Sequence, residues 1–382
     1  MKFRNVLRWG KRNLIRLKMM SYAVVHPQQK KIVFNSFNGK QYSDNPRAIS
    51  EEIHLLYPEY EIVWHLLNDE DPYDIIPDYI RVVKEENDYQ KEVLTAFCFV
   101  TNTEMKTLFY KRNKQLYIQT WHGDQRFKKI LYEIGDEDFR CFDDKLIDLC
   151  ISSSEFGNES YRNAFRYSGN ILCKGSPRSE LMLKMTSDRK NELKHQLGIG
   201  SKKVLLYAPT FRDNLIDKQS TDFDFNMILA NLQHYYSRSD EWVCLLRAHP
   251  SSVGISSFTD SVIDVSKYPD MTDILSITDF LITDYSSSVG DFALTGLPII
   301  LYVSDIDEYE NKYRAFKVNP LNVGLKIARS QNQVIEVIKK TTPDEFRECD
   351  KSFLKKFQVN ETCEETREIC ELINRFYIEN YS

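Results

Sequence analysis

The first acidic residue of this 382-residue chain is Asp44. Ahead of it stand Lys2, Arg4, Arg8, Lys11, Arg12, Arg16, Lys18, Lys30, Lys31 and Lys40, although the whole chain carries a formal charge of -5. A basic head on an acidic body points to a local anionic partner. A membrane surface fits better than nucleic acid, because no aromatic-studded basic groove or nucleic-acid motif occurs elsewhere. Long apolar runs are missing too. Cations recur through Lys18 and cut the head into short apolar pieces, which excludes a signal-peptide core, and no segment approaches the ~20 apolar residues of a spanning helix. The eight cysteines, Cys98, Cys141, Cys150, Cys173, Cys244, Cys349, Cys363 and Cys370, form no CxxC pair and no metal-ligand spacing. That argues against a zinc module or a disulfide framework, and cysteines inside runs such as AFCFV and WVCLL read as reduced core residues of a cytoplasmic protein. Internal repeats and low-complexity tracts are absent.

What is present is an alternation. The runs KIVFNSF, EIVWHLL, IRVVKE, FCFVTNT, LYIQTWH, DLCISSS and NILCKGS read as strands in the first half. KVLLYAPTF, EWVCLLRAHP, SVIDVSK, DFLITDYSS, LPIILYV and GLKIA do so in the second. Helical patterns lie between them, at PRAISEEIHLL, DQRFKKILYEI and SEFGNESYRNAFRY. The charged stretch 185–203 supplies a connecting helix, and everything after Thr342 is helical with no strand. The chain exceeds the usual size of a single core, so the reading is α/β with two Rossmann-like domains. The expected divisions are a basic amphipathic membrane-associating segment over 1–29, a domain over 30–185, a second over 186–341, and terminal helices over 342–382.

The stretch FLITDYSSSVGDFALTGLPIILY, residues 280–302, shows how the alternation makes a site. Phe280 to Thr283 is a buried strand, Ser287 to Thr295 one or two helical turns closed by Gly296, and Leu297 to Val303 a second strand. A helix between the strands makes them parallel and puts the polar turn at the carboxyl end of the first, where ligands bind in open α/β sheets. Unpaired N–H groups and the hydroxyls of Ser286 to Ser288 suit a phosphate there, although plain N-capping accounts for the same serines. Other strand ends carry QTWHG, KGSPRSE, YAPTFRD and LRAHP, so five separate strand ends each supply a His, Arg or hydroxyl group.

Together with GSPR, YPDMTDILSITDFLITDYSS, DFALTGLPIILYVSDIDEY and the early FNSFNGKQYSDNPRAI, these motifs resemble the CDP-glycerol glycerophosphotransferase family, the teichoic-acid primases and polymerases. The match covers roughly residues 30 to 310. The resemblance implies a GT-B type fold, two Rossmann-like domains facing a central cleft, with the donor nucleotide held mainly by the second domain and the first on the acceptor side. It implies a peripheral enzyme on the cytoplasmic face of the bacterial membrane. Such an enzyme moves glycerol phosphate from CDP-glycerol to an undecaprenyl-type lipid-linked or polymer acceptor, releasing CMP, in teichoic acid or capsule synthesis. CDP-ribitol as donor, or a sugar transferase or epimerase of the same fold, are the alternatives. Two departures stand out. Asp124, Gln125 and Arg126 replace the family's usual Thr-Pro-Leu after QTWHG, and ENKYRAFKVNPLNVGLKIARS replaces its glycine-rich stretch.

Such a transfer needs a diphosphate neutralised and one proton taken. Arg212 and Arg247 serve as phosphate ligands with Thr210, Asp284, Ser286 and Ser287 around them. Asp291, one helical turn on, is placed for ribose hydroxyls. His122 is the expected general base and His249 the leaving-group partner, with Trp121, Gly123 and Arg178 on the acceptor side. FDDK and YPD are isolated acidic pieces, so neither a metal nor a cofactor is expected.

Overall fold

The computed structural model describes residues 2–68, 70–105, 110–124, 126–134, 145–210, 223–236, 238–248, 261–312 and 315–381. Each strand-like run of the sequence becomes a strand. β1 (Gln29–Asn35), β2 (Glu61–His65), β3 (Ile80–Val83), β4 (Ala96–Thr101), β5 (Leu116–Gln119), β6 (Leu149–Ser152) and β7 (Asn170–Cys173) form one sheet in the order β3-β2-β1-β4-β5-β6-β7. β8 (Lys203–Ala208), β9 (Trp242–Leu246), β10 (Val262–Asp264), β11 (Phe280–Thr283), β12 (Ile299–Tyr302) and β13 (Lys326–Ala328) form a second, ordered β10-β9-β8-β11-β12-β13. Every pairing is parallel, as in Ile282 against Tyr207 and Ile300. All six residues of β4 are buried with no alternation, the pattern of a strand covered on both faces. Both strand orders reverse beside the first strand of their sheet, and both sheets turn the carboxyl ends of their strands to one cleft.

The helices in chain order are α1 (Lys2–Val25), α2 (Asp44–Leu56), α3 (Glu86–Thr95), α4 (Glu155–Ala164), α5 (Pro177–Lys184), α6 (Ser187–Gln196) and α7 (Phe225–Asn231). After them come α8 (Met271–Ser276), α9 (Ser288–Phe292), α10 (Ile306–Lys312), α11 (Gln331–Lys340), α12 (Pro343–Lys356) and α13 (Glu365–Tyr381). The connecting helix expected within 185–203 is α6. One expectation fails. DQRFKKILYEI forms no α-helix among its described residues, only a 3₁₀ turn at Leu131–Ile134. Its backbone pairs elsewhere: Lys128 bridges Phe316 antiparallel, the Lys317 N–H donates to Phe127 O at 2.7 Å and the Lys129 N–H to Ala315 O at 3.1 Å. Groups donated across the chain in this way are lost to a helix's own ladder.

The C-terminal helices cross back over the chain. Phe357 of the turn after α12 meets Phe156, and on α13 Tyr377 packs against Tyr60 and Phe97 while the Tyr60 hydroxyl donates to Asn374. Between the halves, Arg47 on α2 donates to Asp270 at 3.0 Å and to Asp273 at 2.8 Å, with all three side chains buried. The Tyr268 hydroxyl also donates to Asp273. These charge-assisted bonds hold the two halves around the cleft.

Candidate active site

The cleft has a volume of about 600 Å³. Its N-terminal wall carries Phe37, Lys40, Asp44, His122 and Arg178, and its C-terminal wall Arg247, Ser266, Asp270, Ser286, Ser287 and Asp291. Of the residues singled out in the sequence, His122, Arg178, Arg247, Ser286, Ser287 and Asp291 meet here. Trp121, Gly123, Thr210 and Asp284 stand behind the lining. Arg212 and His249 lie outside the described residues.

His122 is placed by a strained turn. β5 ends at Gln119, whose side-chain carbonyl accepts the Trp121 N–H at 2.9 Å, and Trp121 takes the left-handed φ of 50°. That conformation costs a non-glycine residue on the order of 1 kcal/mol and survives only where its surroundings fix it. Here the Asn45 amide donates to Trp121 O at 3.2 Å, while the Asn45 carbonyl accepts from the Ser176 hydroxyl and the Arg178 N–H. Gly123 at φ 129° completes the turn, and a Cβ on it would lie 3.1 Å from Cβ of Ser287 on the opposite wall. The His122 ring stacks on Trp121, and its Nδ1 stands 2.8 Å from Asn102 O. A backbone carbonyl only accepts, so Nδ1 carries the proton and Nε2 keeps a lone pair. Burial pushes the imidazole down to about 4, against the raising effect of the Asn102 carbonyl, so the ring is neutral at pH 7.

Arg178 crosses the cleft. It donates to Asp44 at 3.0 Å on its own side and to Asp291 at 2.9 Å on the other, while the Ser179 hydroxyl also donates to Asp291. Burial alone would lower its pKa, but the Asp291 and Asp44 carboxylates outweigh it and hold the guanidinium charged. Asp291, read from the sequence as a ribose ligand, is thus engaged by Arg178 and Ser179 while it lines the cleft.

The opposite wall is arranged differently. Asp284 takes the Thr210 N–H and hydroxyl, at 3.0 and 2.7 Å, and so ties the end of β8 to the end of β11. The Arg247 guanidinium donates only to carbonyls, those of Val265 and Tyr268, and neither it nor Lys40 forms an ion pair with a carboxylate among the described residues. Burial lowers the Arg247 pKa, with Asp270 opposing it from a distance. The serine turn opens the expected one or two helical turns: α9 has five residues and passes into a 3₁₀ turn at Ala293–Thr295, closed by Gly296 at φ 67°. The Ser286 hydroxyl lies 2.8 Å from that of Ser288 and accepts the Ser288 N–H, so it serves the turn. Ser287 caps nothing with its side chain.

The sequence does not single out the residues that orient the site. Asp44, Asn45 and Asn102 fix His122 and Arg178, Asp270 accepts the Asp44 N–H, and Asp44 and Asn45 sit in YSDNPRAI, a stretch noted only for its resemblance. The departure at 124–126 has a structural use. Asp124 accepts from Arg126 at 2.9 Å and from the hydroxyls of Ser153 and Ser154, and the Arg126 guanidinium fills the space a Cβ on Gly290 would need. No group of three His, Cys, Asp or Glu side chains among the described residues is placed to hold a metal.

The chain is 31% identical over 343 residues to the teichoic acid poly(glycerol phosphate) polymerase of Staphylococcus epidermidis, spanning 83% of this chain and 47% of that protein, about half its length. It is 30% identical over 367 residues to the teichoic acid glycerol-phosphate transferase of Staphylococcus aureus, covering 91% of this chain and 93% of that one. Among solved structures it is similar to a histidine-to-asparagine variant of the wall teichoic acid polymerase TagF soaked with CDPG. There the TM-score is 0.81 at 26% identity, over 100% of this chain and 98% of that one. The fold is accordingly the GT-B type expected from the sequence. The model of the family described as CDP-glycerol:poly(glycerophosphate) glycerophosphotransferase matches residues 18–375, and the chain belongs to that family.

Proposed function

We propose that this protein transfers glycerol phosphate from CDP-glycerol to a hydroxyl of a poly(glycerol phosphate) or lipid-linked acceptor, releasing CMP, in teichoic acid or related envelope synthesis. The observation that carries the reading is the tautomer of His122. Its bare Nε2 belongs to a cleft-lining ring, across from a wall where Arg247 and Ser287 have no acidic partner. The acceptor hydroxyl attacks the β-phosphorus, its proton passes to Nε2, and the bond from that phosphorus to the CMP oxygen breaks. Arg247, Lys40 and the serine turn offset the charge gathering on CMP. A base held at about 4 by burial is weak on its own, and a diphosphate bound beside it raises its pKa. His249 and Arg212 keep their proposed parts as leaving-group and phosphate partners.

The test is incubation with CDP-glycerol or CDP-ribitol and a synthetic lipid acceptor, read as CMP. CMP from CDP-glycerol alone supports the reading, CMP from CDP-ribitol alone moves it to the other polyol, and CMP from neither overturns it.

We place the enzyme against an anionic membrane leaflet, where a lipid-linked acceptor would be found. No helix is long and apolar enough to cross a membrane among the described residues. On α1, Met19 and Ala23 are covered, whereas Leu14, Leu17, Val24 and Val25 are exposed among Arg12, Arg16 and Lys18. An amphipathic basic helix of this kind lies in an interface, each cation adding about 1 kcal/mol at an anionic surface. Removal of residues 1–29 should abolish salt-sensitive binding to anionic vesicles and leave the protein folded, and equal binding by both forms would place the contact elsewhere.

A further inference from the structure

A second chamber, of about 200 Å³, opens at the carboxyl ends of β1, β2 and β4, beside the cleft. Asn35, His65, Tyr89, Thr101 and Thr103 line it, with Asn38 and Glu86 at its exposed edge. No residue of the mechanism above belongs to it.

The protonation of His65 can be deduced from its neighbours. The Gly39 N–H donates to Asn35 Oδ1 at 3.0 Å, which fixes the amide so that Asn35 Nδ2 faces His65 Nδ1 at 3.1 Å. An amide nitrogen only donates, so Nδ1 is the acceptor and Nε2 carries the hydrogen. Burial lowers the pKa of this ring, against the raising effects of the Glu86 carboxylate and the Lys84 backbone carbonyl, and keeps it neutral. His65 is only 2% exposed, and its Nε2 has no partner at full hydrogen-bond geometry among the described residues, although the Lys84 carbonyl acts on the ring from nearby. A buried donor without an acceptor is uncommon and calls for an occupant. The ring is also held rigidly. It stacks on Tyr89 with centroids 4.2 Å apart, and Gly39, at φ 78°, lets the loop close over it where a Cβ would come within 2.9 Å.

We infer that this chamber is a subsite for a small uncharged polyol, one hydroxyl oxygen accepting from His65 Nε2–H and others meeting Thr103, Asn38 and Glu86. Among the described residues its lining includes no lysine or arginine, and the Glu86 carboxylate at the edge repels anions, so a phosphate is disfavoured. Its volume equals that of roughly six or seven waters, room for a polyol of a few carbons. The chamber also touches the loops that hold His122. Thr101 and Thr103 flank Asn102, whose carbonyl fixes His122, and Asn38 follows Phe37, whose ring lies 5.4 Å from the His122 ring. Occupancy therefore bears on the base without filling the cleft. The polyol is either free in solution or the terminal unit of an acceptor chain.

The test follows the imidazole N–H resonance of His65 in the full chain, assigned by its loss in His65→Phe, during titration with glycerol, ribitol, propan-1-ol, glycerol 3-phosphate and a poly(glycerol phosphate) oligomer. Glycerol or ribitol should shift it saturably, propan-1-ol should not, and glycerol 3-phosphate should be weaker than glycerol. A shift by the oligomer at lower concentration than by glycerol assigns the site to the acceptor end, and the reverse assigns it to free polyol. Asn38→Gly, which suits the left-handed φ of 57° at that position, should weaken the polyol roughly three- to tenfold, the range for one hydrogen bond. No shift with either polyol up to molar concentration, or an equal shift with propan-1-ol, overturns the proposal. CMP release by the same sample is read separately, so a failed chamber is distinguishable from a failed transferase.

Discussion

The two halves share a strand order and differ in how their cleft walls are finished. On the N-terminal wall the polar groups other than Lys40 are spoken for: Asn45 makes bonds to two sides, Arg178 to two carboxylates, and His122 to the Asn102 carbonyl. On the C-terminal wall Ser287 caps nothing and Arg247 meets only carbonyls. A wall that must aim one lone pair benefits from being fixed in advance, because positional error costs rate. One that must receive a diphosphate keeps its donors unneutralised until the anion arrives. Fold alone does not create this difference, since both walls are built from the same βα turns.

The largest break in the comparison should come from His122→Ala. With His122 as the proposed general base, its loss should lower turnover by about 10²–10⁴-fold, while the KM for CDP-glycerol stays within about threefold, because the groups proposed to hold the donor stand mainly on the other wall. Steady-state CMP release checks both numbers, and a large rise in KM at constant turnover would move His122 to a binding role. Its pH dependence sharpens the point. With the free ring held at about 4, the acid limb of kcat/KM for His122 should lie near pH 4, not at the ordinary histidine value of 6.5. Next in size is Arg47→Ala. It strands Asp270 and Asp273 in a buried place and should cost about 3–5 kcal/mol in urea unfolding, more than any exposed ion pair of the chain.

Two buried aspartates extend the contrast beyond the cleft. Asp124 accepts from Arg126, Ser153 and Ser154, whereas neither oxygen of Asp350 on α12 has a hydrogen-bond partner. Burial raises Asp350 from 3.8 to about 8. The folded state then keeps a proton that the unfolded chain has released, so the contribution of Asp350 to stability is greatest below about pH 4 and falls as pH rises to about 8. The loss amounts to several kcal/mol, about 6 at most. Asp350→Asn should flatten that slope, read as urea midpoints across the window, and an unchanged slope would remove Asp350 as its source.

Much of this was legible in the sequence. The thirteen strands among the described residues, three to seven residues long, are legible because short apolar runs flanked by turn signals carry their own signature, and parallel order follows from the helices between them. The helical pattern of DQRFKKILYEI misleads, since the segment Ala315 to Lys317 that its backbone pairs with lies far along the chain and local periodicity carries no trace of it. The cleft followed from strand ends, but Asp44, Asn45 and Asn102 did not. Their task is to orient another residue by one or two hydrogen bonds, and single Asn or Asp residues before a helix look the same when they only cap. Asp291 was found and its present partner was not, because Arg178 reaches it across a cleft that only the assembled halves define.

The smallest expected effect separates two neighbouring serines. Ser286 spends its hydroxyl on Ser288, so Ser286→Ala removes a local brace and should lower stability by about 1 kcal/mol, with the donor affected only through the loosened turn. Ser287 has no such duty, and its Cβ faces Gly123 across the cleft. Ser287→Ala should therefore leave urea unfolding unchanged and raise the KM for CDP-glycerol by roughly three- to tenfold, the worth of one ordinary hydrogen bond. The pair is checked by measuring KM and unfolding midpoint for both variants. If Ser287→Ala destabilises while its KM is unchanged, the serine is part of the turn, and the polar groups of the C-terminal wall are bound up in structure just as those of the N-terminal wall are. If both variants shift KM alone, the brace seen between Ser286 and Ser288 opens on donor binding, and the wall is freer than its empty form displays.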